Sequence, residues 1–365
     1  MIDPTTRRPR GTGCRAVSMH SAGLMVLGIV MAIMFGGCAE RADVILYVSA
    51  DDYVVDEVIR AFEEETGLRV RVVGDTEATK STGLAERLRA ERSHPVADVF
   101  WANEPFLTIQ LAEEGVLASF RSEHTDRRPA EHRDSEHRWH AFAARARVIV
   151  YAPDRVSEAE VPVAWTDLSR DTYRGRIAMA DPRFGTTGGH FAAMKVWWDR
   201  HAMPGYYESF LEGLRDNHVR MLPSGNAGVV RSIIEGEFDL GMTDTDDVWL
   251  FRDRGHDLGV VFPVHAHEPM PGRGTLVIPN TVSLVAGARH PDAAARLIEF
   301  LLSDATELRI AATPSRNIPL AAEIPDSLRS FMPPEMLRVD FNRVAAARND
   351  AVAAAVRVIG GTESQ

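Results

Sequence analysis

The chain of 365 residues holds two cysteines, Cys14 and Cys38, both near the N-terminus. A disulfide within the remaining chain is therefore excluded, and stability has to come from a buried core. Lysine is equally scarce: Lys80 and Lys195 stand against 39 arginines. Catalytic signatures are missing as well, with no G-x-S-x-G elbow and no H-E-x-x-H helix. The net charge of −11 argues against nucleic-acid binding. The acidity suits a cationic ligand, or plain solubility. With 45% hydrophobic residues over this length, a sizeable core divided between about two domains is expected.

The first 37 residues read as an address. Arg7, Arg8, Arg10 and Arg15 precede an apolar run at residues 22–35, and "FGGCAE" follows. The run is too short and wrongly flanked for a spanning helix, which makes it a signal peptide. Gly36 and Gly37 before Cys38 resemble a bacterial lipoprotein signal, with Cys38 as the lipidated first mature residue; the alternative is an ordinary secretory signal cleaved nearby.

Beyond it, short β-branched runs alternate with helical periods. "DVILYVSA", "LRVRVVG" and "ADVFW" read as strands; "DYVVDEVIRAFEEETG", "STGLAERLRAE" and "NEPFLTIQLAEEG" read as helices. This alternation predicts an α/β fold with a parallel sheet covered on both faces. Residues 118–140 break the rhythm. They carry His132, His137 and His140 among many charges and predict an exposed loop rather than a metal site. The rhythm resumes with "ARVIVYAP", "GRIAMADP", "FDLGMTD", "LGVVFP" and "TVSLVAG" as strands, and an Ala-rich helical tail closes the chain.

Taken in order, "ILYVSADDYVVDEVIRAFEEETGLRVRVV", "DTEATKSTGLAERLRAE", "ADVFWANE", "ARARVIVY", "GTTGGHFAA", "SGNAGVVRSIIEGEFDLGMTDTDD" and "IPNTVSLVAGARHPDAAARLIEFLLSD" resemble the bacterial ferric-iron-type periplasmic solute-binding proteins of ABC importers. The resemblance implies a two-lobed periplasmic-binding-protein fold of type II kind, hinged by crossing strands near "ARARVIVY" and "TVSLVAG". It implies lobes at 44–145 with 282–322 and at 146–281, followed by a helical tail at 323–365. The partners would be a permease and its ATPase, with a lipid anchor, no nucleic acid and a monomeric chain. No catalytic residue and no enzyme cofactor is expected; a bound ferric ion with a synergistic anion is.

Ligands of open α/β sheets sit at strand C-terminal ends. That rule selects Asp51 and Asp52 after the first strand, Lys80, Ser81 and Thr82 in "TKST", and Asn103 and Glu104 after the third strand. Arg145 and Arg147 lie in the crossing strand, one expected to face the cleft and the other outward. "GTTGGH" offers Thr186 and Thr187 as helix caps, and Gly188 and Gly189 as places where backbone amides meet an anion. Asn226 belongs to "SGNAG". "TDTDD" gathers Asp244, Asp246 and Asp247 at a strand end, where Thr245 or Asp246 would cap the next helix. Three such acids repel unless a cation, donors or protonation compensates. In the resembled family adjacent tyrosines occupy the places of Asp246 and Asp247, a His ligand falls near Asp51, and a Glu ligand near Asn103 or Glu104. The implied metal set is Asp51, Glu104, Asp246 and Asp247, with the tyrosine pair absent. Ferric iron is the first candidate. A small zwitterion such as an aminophosphonate is the second, and a secreted metal-dependent hydrolase the third.

Overall fold

The computed structural model describes residues 42–361 apart from 76–80, 127, 202, 266–273 and 321–322. Strands β1 (Val44–Val48), β2 (Val70–Gly74) and β3 (Val99–Ala102) run parallel. Each leads into a helix: α1 (Asp52–Thr66), α2 (Thr82–Ala90) and α3 (Phe106–Glu113). Helix α1 buries Val55, Val58, Ile59 and Phe62, as its apolar spacing requires, and stops at Gly67, which adopts a left-handed φ of 71°. β4 (Leu117–Ala118) and a short helix α4 (Glu123–Asp126) lead to β5 (His140–Tyr151).

The second half repeats the pattern. It comprises β6 (Ile177–Ala180), α5 (Gly185–Arg200), α6 (Tyr206–Asp216), β7 (Arg220–Leu222), α7 (Gly225–Ile234), β8 (Leu240–Asp244), α8 (Thr245–Asp253) and β9 (Gly259–Val261). The chain returns through β10 (Thr275–Val285) to α9 (Pro291–Leu302) and α10 (Asp304–Ala312). It ends with β11 (Met336–Leu337) and α11 (Phe341–Gly360). The strand order is β2-β1-β3-β10-β5-β8-β6-β7, so the expected parallel sheet is in fact mixed.

β5 joins the two lobes. Residues from His140 to Ala146 pair antiparallel with β10, and residues from Arg147 to Tyr151 pair with β8 and β9. The change of partner falls inside "ARARVIVY", so the hinge segment carries both arginines. β10 is the second crossing, with a register shift between Pro279 and Asn280. The architecture is α/β with two lobes.

One more expectation changes. The stretch at 118–140 is docked through buried Arg128 and Trp139, although Glu123, Glu131 and Glu136 stay exposed. Arg128 is buried and donates to Glu307 at 3.2 Å and to the carbonyls of Ala141 and Leu302, while Trp139 is 2% exposed. Long-range pairing with α10 holds a segment whose own pattern has no apolar period. The helical tail expected at 323–365 contains α11, and it packs on the rest of the fold. β11 pairs with β10, and α11 packs on α5, α6 and α3; Tyr207 Oη donates to the Ala351 carbonyl at 2.8 Å.

Candidate functional site

Residues two apart in a strand share a face. Arg145 and Arg147 therefore point the same way, not to opposite sides, and both are buried, at 4% and 0% exposure. Two buried guanidiniums need carboxylates nearby, and β8 with α8 provides them.

Arg147 Nη1 donates to Asp244 Oδ1 at 2.8 Å. The other Asp244 oxygen accepts from Thr186 Oγ1 at 2.5 Å and Asn226 Nδ2 at 2.8 Å. Thr187 Oγ1 donates to Asn226 Oδ1 at 3.3 Å. Asp244 is the N-cap of α8, the place expected for Thr245 or Asp246. Its carboxylate faces the neighbouring helices rather than its own amides. Thr186 and Thr187 likewise do not cap α5, whose N-cap is Phe184; their hydroxyls tie α5 to β8 and α7. Gly188 and Gly189 do not offer amides to a ligand. They lie beyond the first free N–H groups of α5. A Cβ at Gly189 would collide with the Phe106 ring, and one at Gly188 with the Pro182 carbonyl. These glycines permit close packing of α5 against α3 and α11.

Arg145 ties together elements distant in sequence. Its Nε donates to Asp246 Oδ2 at 2.7 Å, its Nη2 to Asn280 Oδ1 at 2.8 Å, and its Nη1 to the Asn103 carbonyl. Burial pulls its pKa down, but the field of Asp246 and Asp244, the Asp246 hydrogen bond and Asp51 outweigh this and raise it. On the first lobe, Ser81 Oγ donates to Asn103 Oδ1 and lies 3.0 Å from Ser49 Oγ. Ser81 reaches this place with a positive φ of 67°.

Asp246 and Asp247 are 7% and 8% exposed in the first turn of α8. Together with Asp244 they bring one carboxylate oxygen each within 4.8 Å of one another, a spacing that suits a cation. Asp51 comes from the opposite lobe. Its neighbour Tyr53, unmarked in the sequence, joins the group. Burial and the charges of Asp51, Asp246 and Asp247 push the phenol's pKa far above its usual range, against the pull of Arg145. The Tyr53 hydroxyl has no hydrogen-bond partner among the described residues. Its one sequence signal is its position, two residues after Asp51 at the same strand end.

Other candidates stand apart. Glu104 is fully buried and accepts from the amides of Phe106 at 2.7 Å and Leu107 at 3.2 Å. It holds the start of α3, so Asp244 rather than Glu104 completes the carboxylate group. Asp52 is exposed in the first turn of α1. Thr82 Oγ1 donates to the Arg183 carbonyl at 3.3 Å, linking α2 to the turn before α5. Lys80 lies outside the described residues.

The fold is shared with known proteins. The sequence profile of a family described as bacterial extracellular solute-binding protein matches residues 94–339. Iron uptake protein A1 of Synechocystis is 25% identical over 309 residues, covering 80% of each chain. A putative 2-aminoethylphosphonate-binding periplasmic protein of Salmonella typhimurium is 24% identical over 268 residues, or 73% of this chain and 74% of its own. The iron-bound HitA of Pseudomonas aeruginosa superposes with a TM-score of 0.71 at 21% identity, over 87% of this chain and 99% of its own. The chain belongs to the bacterial extracellular solute-binding proteins: it is a periplasmic capture component of an ABC importer, and it binds rather than transforms its solute.

Proposed function

We propose that the solute is ferric iron, held where Asp51 and Tyr53 of one lobe meet Asp246 and Asp247 of the other and delivered to the importer's permease. The observation that carries this reading is the partnerless Tyr53 hydroxyl among three carboxylates. Carboxylate and phenolate oxygens are hard donors, suited to a hard cation. A bound cation would oppose the burial and the negative field that together raise the phenol's pKa. The iron-related names among the similar proteins support the same reading. The change of strand partner in β5, between Ala146 and Arg147, supports lobes close to 44–145 with 282–322 and 146–281.

The test is equilibration of metal-stripped protein with ferric citrate, followed by desalting. About one iron per chain is expected, with a visible phenolate-to-iron absorption that Tyr53→Phe removes. Iron no higher than in a non-binding control protein would reject the proposal.

A second reading rests on Arg145 and Arg147, which already neutralise Asp246 and Asp244. Such paired charges suit a zwitterion, with an amine on the acids and an anionic group near Arg145, while Arg147 stays committed to Asp244. Stabilisation by 2-aminoethylphosphonate without iron retention would favour it; a ligand at ~100 Kd adds about 2.7 kcal/mol.

Anchoring is part of the proposal. Cys38 lies outside the described residues, so its role rests on "GGC" after the apolar run. Cys38→Ser is expected to yield soluble or unprocessed protein. A processed, acylated variant still in the membrane fraction would rule out lipidation at this residue.

A further inference from the structure

A cavity of about 790 Å³ lies away from the carboxylates, on the other face of the hinge strands. Ala144 lines it while Arg145, the next residue of β5, points into the carboxylate group. Val277 and Pro279 of β10 share the same wall. The first lobe contributes the segment around His132 and Trp139, and the second contributes Arg200 at the end of α5. The strand pair that bends at the hinge is thus the floor of this cavity.

Its chemistry is amphipathic. Trp139, Val277, Leu320 and Phe341 supply apolar surface. The Trp139 indole N–H can only donate, is almost fully buried and has no acceptor among the described residues, and His132 Nδ1 has no partner among them either. Arg200 and Arg338 on the rim form no ion pair among the described residues. Asp340 is engaged with the first amides of α11, at 3.1 Å to Asn342 and 3.3 Å to Arg343. Glu131 and Glu335 also stand on the rim and disfavour a polyanion.

We propose that this cavity binds a small amphipathic anion, an apolar ring system or chain bearing a single carboxylate or sulfonate, and that its occupancy favours the closed cleft. The second part rests on the reading of the cleft as a hinged capture site. Lobes that close on one side of a hinge separate on the other. Asp246 and Asp247 are buried at the front, while the cavity lies behind the hinge strands. A molecule wedged behind the hinge stabilises that arrangement, and by linkage it tightens solute binding at the front.

The probe is 8-anilinonaphthalene-1-sulfonate with the full mature protein in the absence of cleft ligand. Saturable fluorescence from one site is expected. Arg338→Glu should weaken it about tenfold, the effect of one lost charge-assisted contact. Val277→Trp, checked for folding by circular dichroism, should abolish it. Small-angle scattering should show a smaller radius of gyration at saturation. Binding that is unsaturable, or unchanged in both variants, overturns the site; binding without compaction overturns the coupling. Because neither readout uses iron, failure of iron capture alone would leave this cavity's assignment standing.

Discussion

Asp244→Ala is expected to lower stability by about 3–5 kcal/mol, the largest effect of any single change at this site. The reason is the partner left behind. Arg147 is completely buried, and its Nη1 bonds converge on Asp244, Thr186 and Asn226. Only Asp244 brings the opposite charge by direct contact. Removing it strands a guanidinium in the interior and also leaves the Thr186 hydroxyl and the Asn226 amide short of an acceptor. Replacing both charges by apolar groups of similar volume removes the stranded ion, so Asp244→Leu with Arg147→Met should recover much of the loss. Urea unfolding of the two variants beside wild type measures this. A loss below about 1 kcal/mol for Asp244→Ala would mean that water reaches Arg147 and that the pair is not the internal brace described above.

Asp247→Asn is expected to reduce solute affinity by roughly ten- to a hundredfold while changing stability by less than about 0.5 kcal/mol. A lost charge-assisted contact accounts for the first figure, and Asn substituting for Asp near a helix start accounts for the second. Asp246→Asn differs in kind. Its carboxylate holds Arg145 at 2.7 Å, and Arg145 also holds Asn103 and Asn280. This variant should lose about 1–3 kcal/mol of stability along with affinity. The contrast separates a solute-facing carboxylate from one committed to the hinge. Iron titration and urea midpoints for both variants supply the data. Unchanged affinity in Asp247→Asn would return that residue to a helix-dipole role and remove the cation wall from the proposal.

Most strands and helices were legible because each has its own local signal; α6 and the two- or three-residue strands β4, β7 and β11 were not. Periodic apolar residues mark α1, and a β-branched run marks β1. The placement of Asp51, Asn103 and Asp246 at strand ends follows from the same reading. Pairing between those ends was not legible. Arg147 and Asp244 are 97 residues apart and Arg145 and Asp246 are 101 apart, and no local pattern encodes such contacts. The acids of "TDTDD" therefore read as an uncompensated cluster, whereas Asp244 pairs with Arg147 and Asp246 with Arg145. Glu104 and the paired glycines misled for a similar reason: a strand-end position suits solute contact and helix packing equally well.

By itself the sequence determined the α/β alternation and which residues stand at the strand ends, since short-range periodicity and strand polarity suffice for these; the hinge segment followed only from the family resemblance. Tertiary structure alone decided which charges are spent inside the protein. Burial converts a carboxylate from a free ligand into the obligatory partner of a guanidinium, as with Asp244, and leaves the Tyr53 hydroxyl without a partner among acids from both lobes. Desolvation depends on what packs against a group from all sides, and that is known only once the lobes are in place.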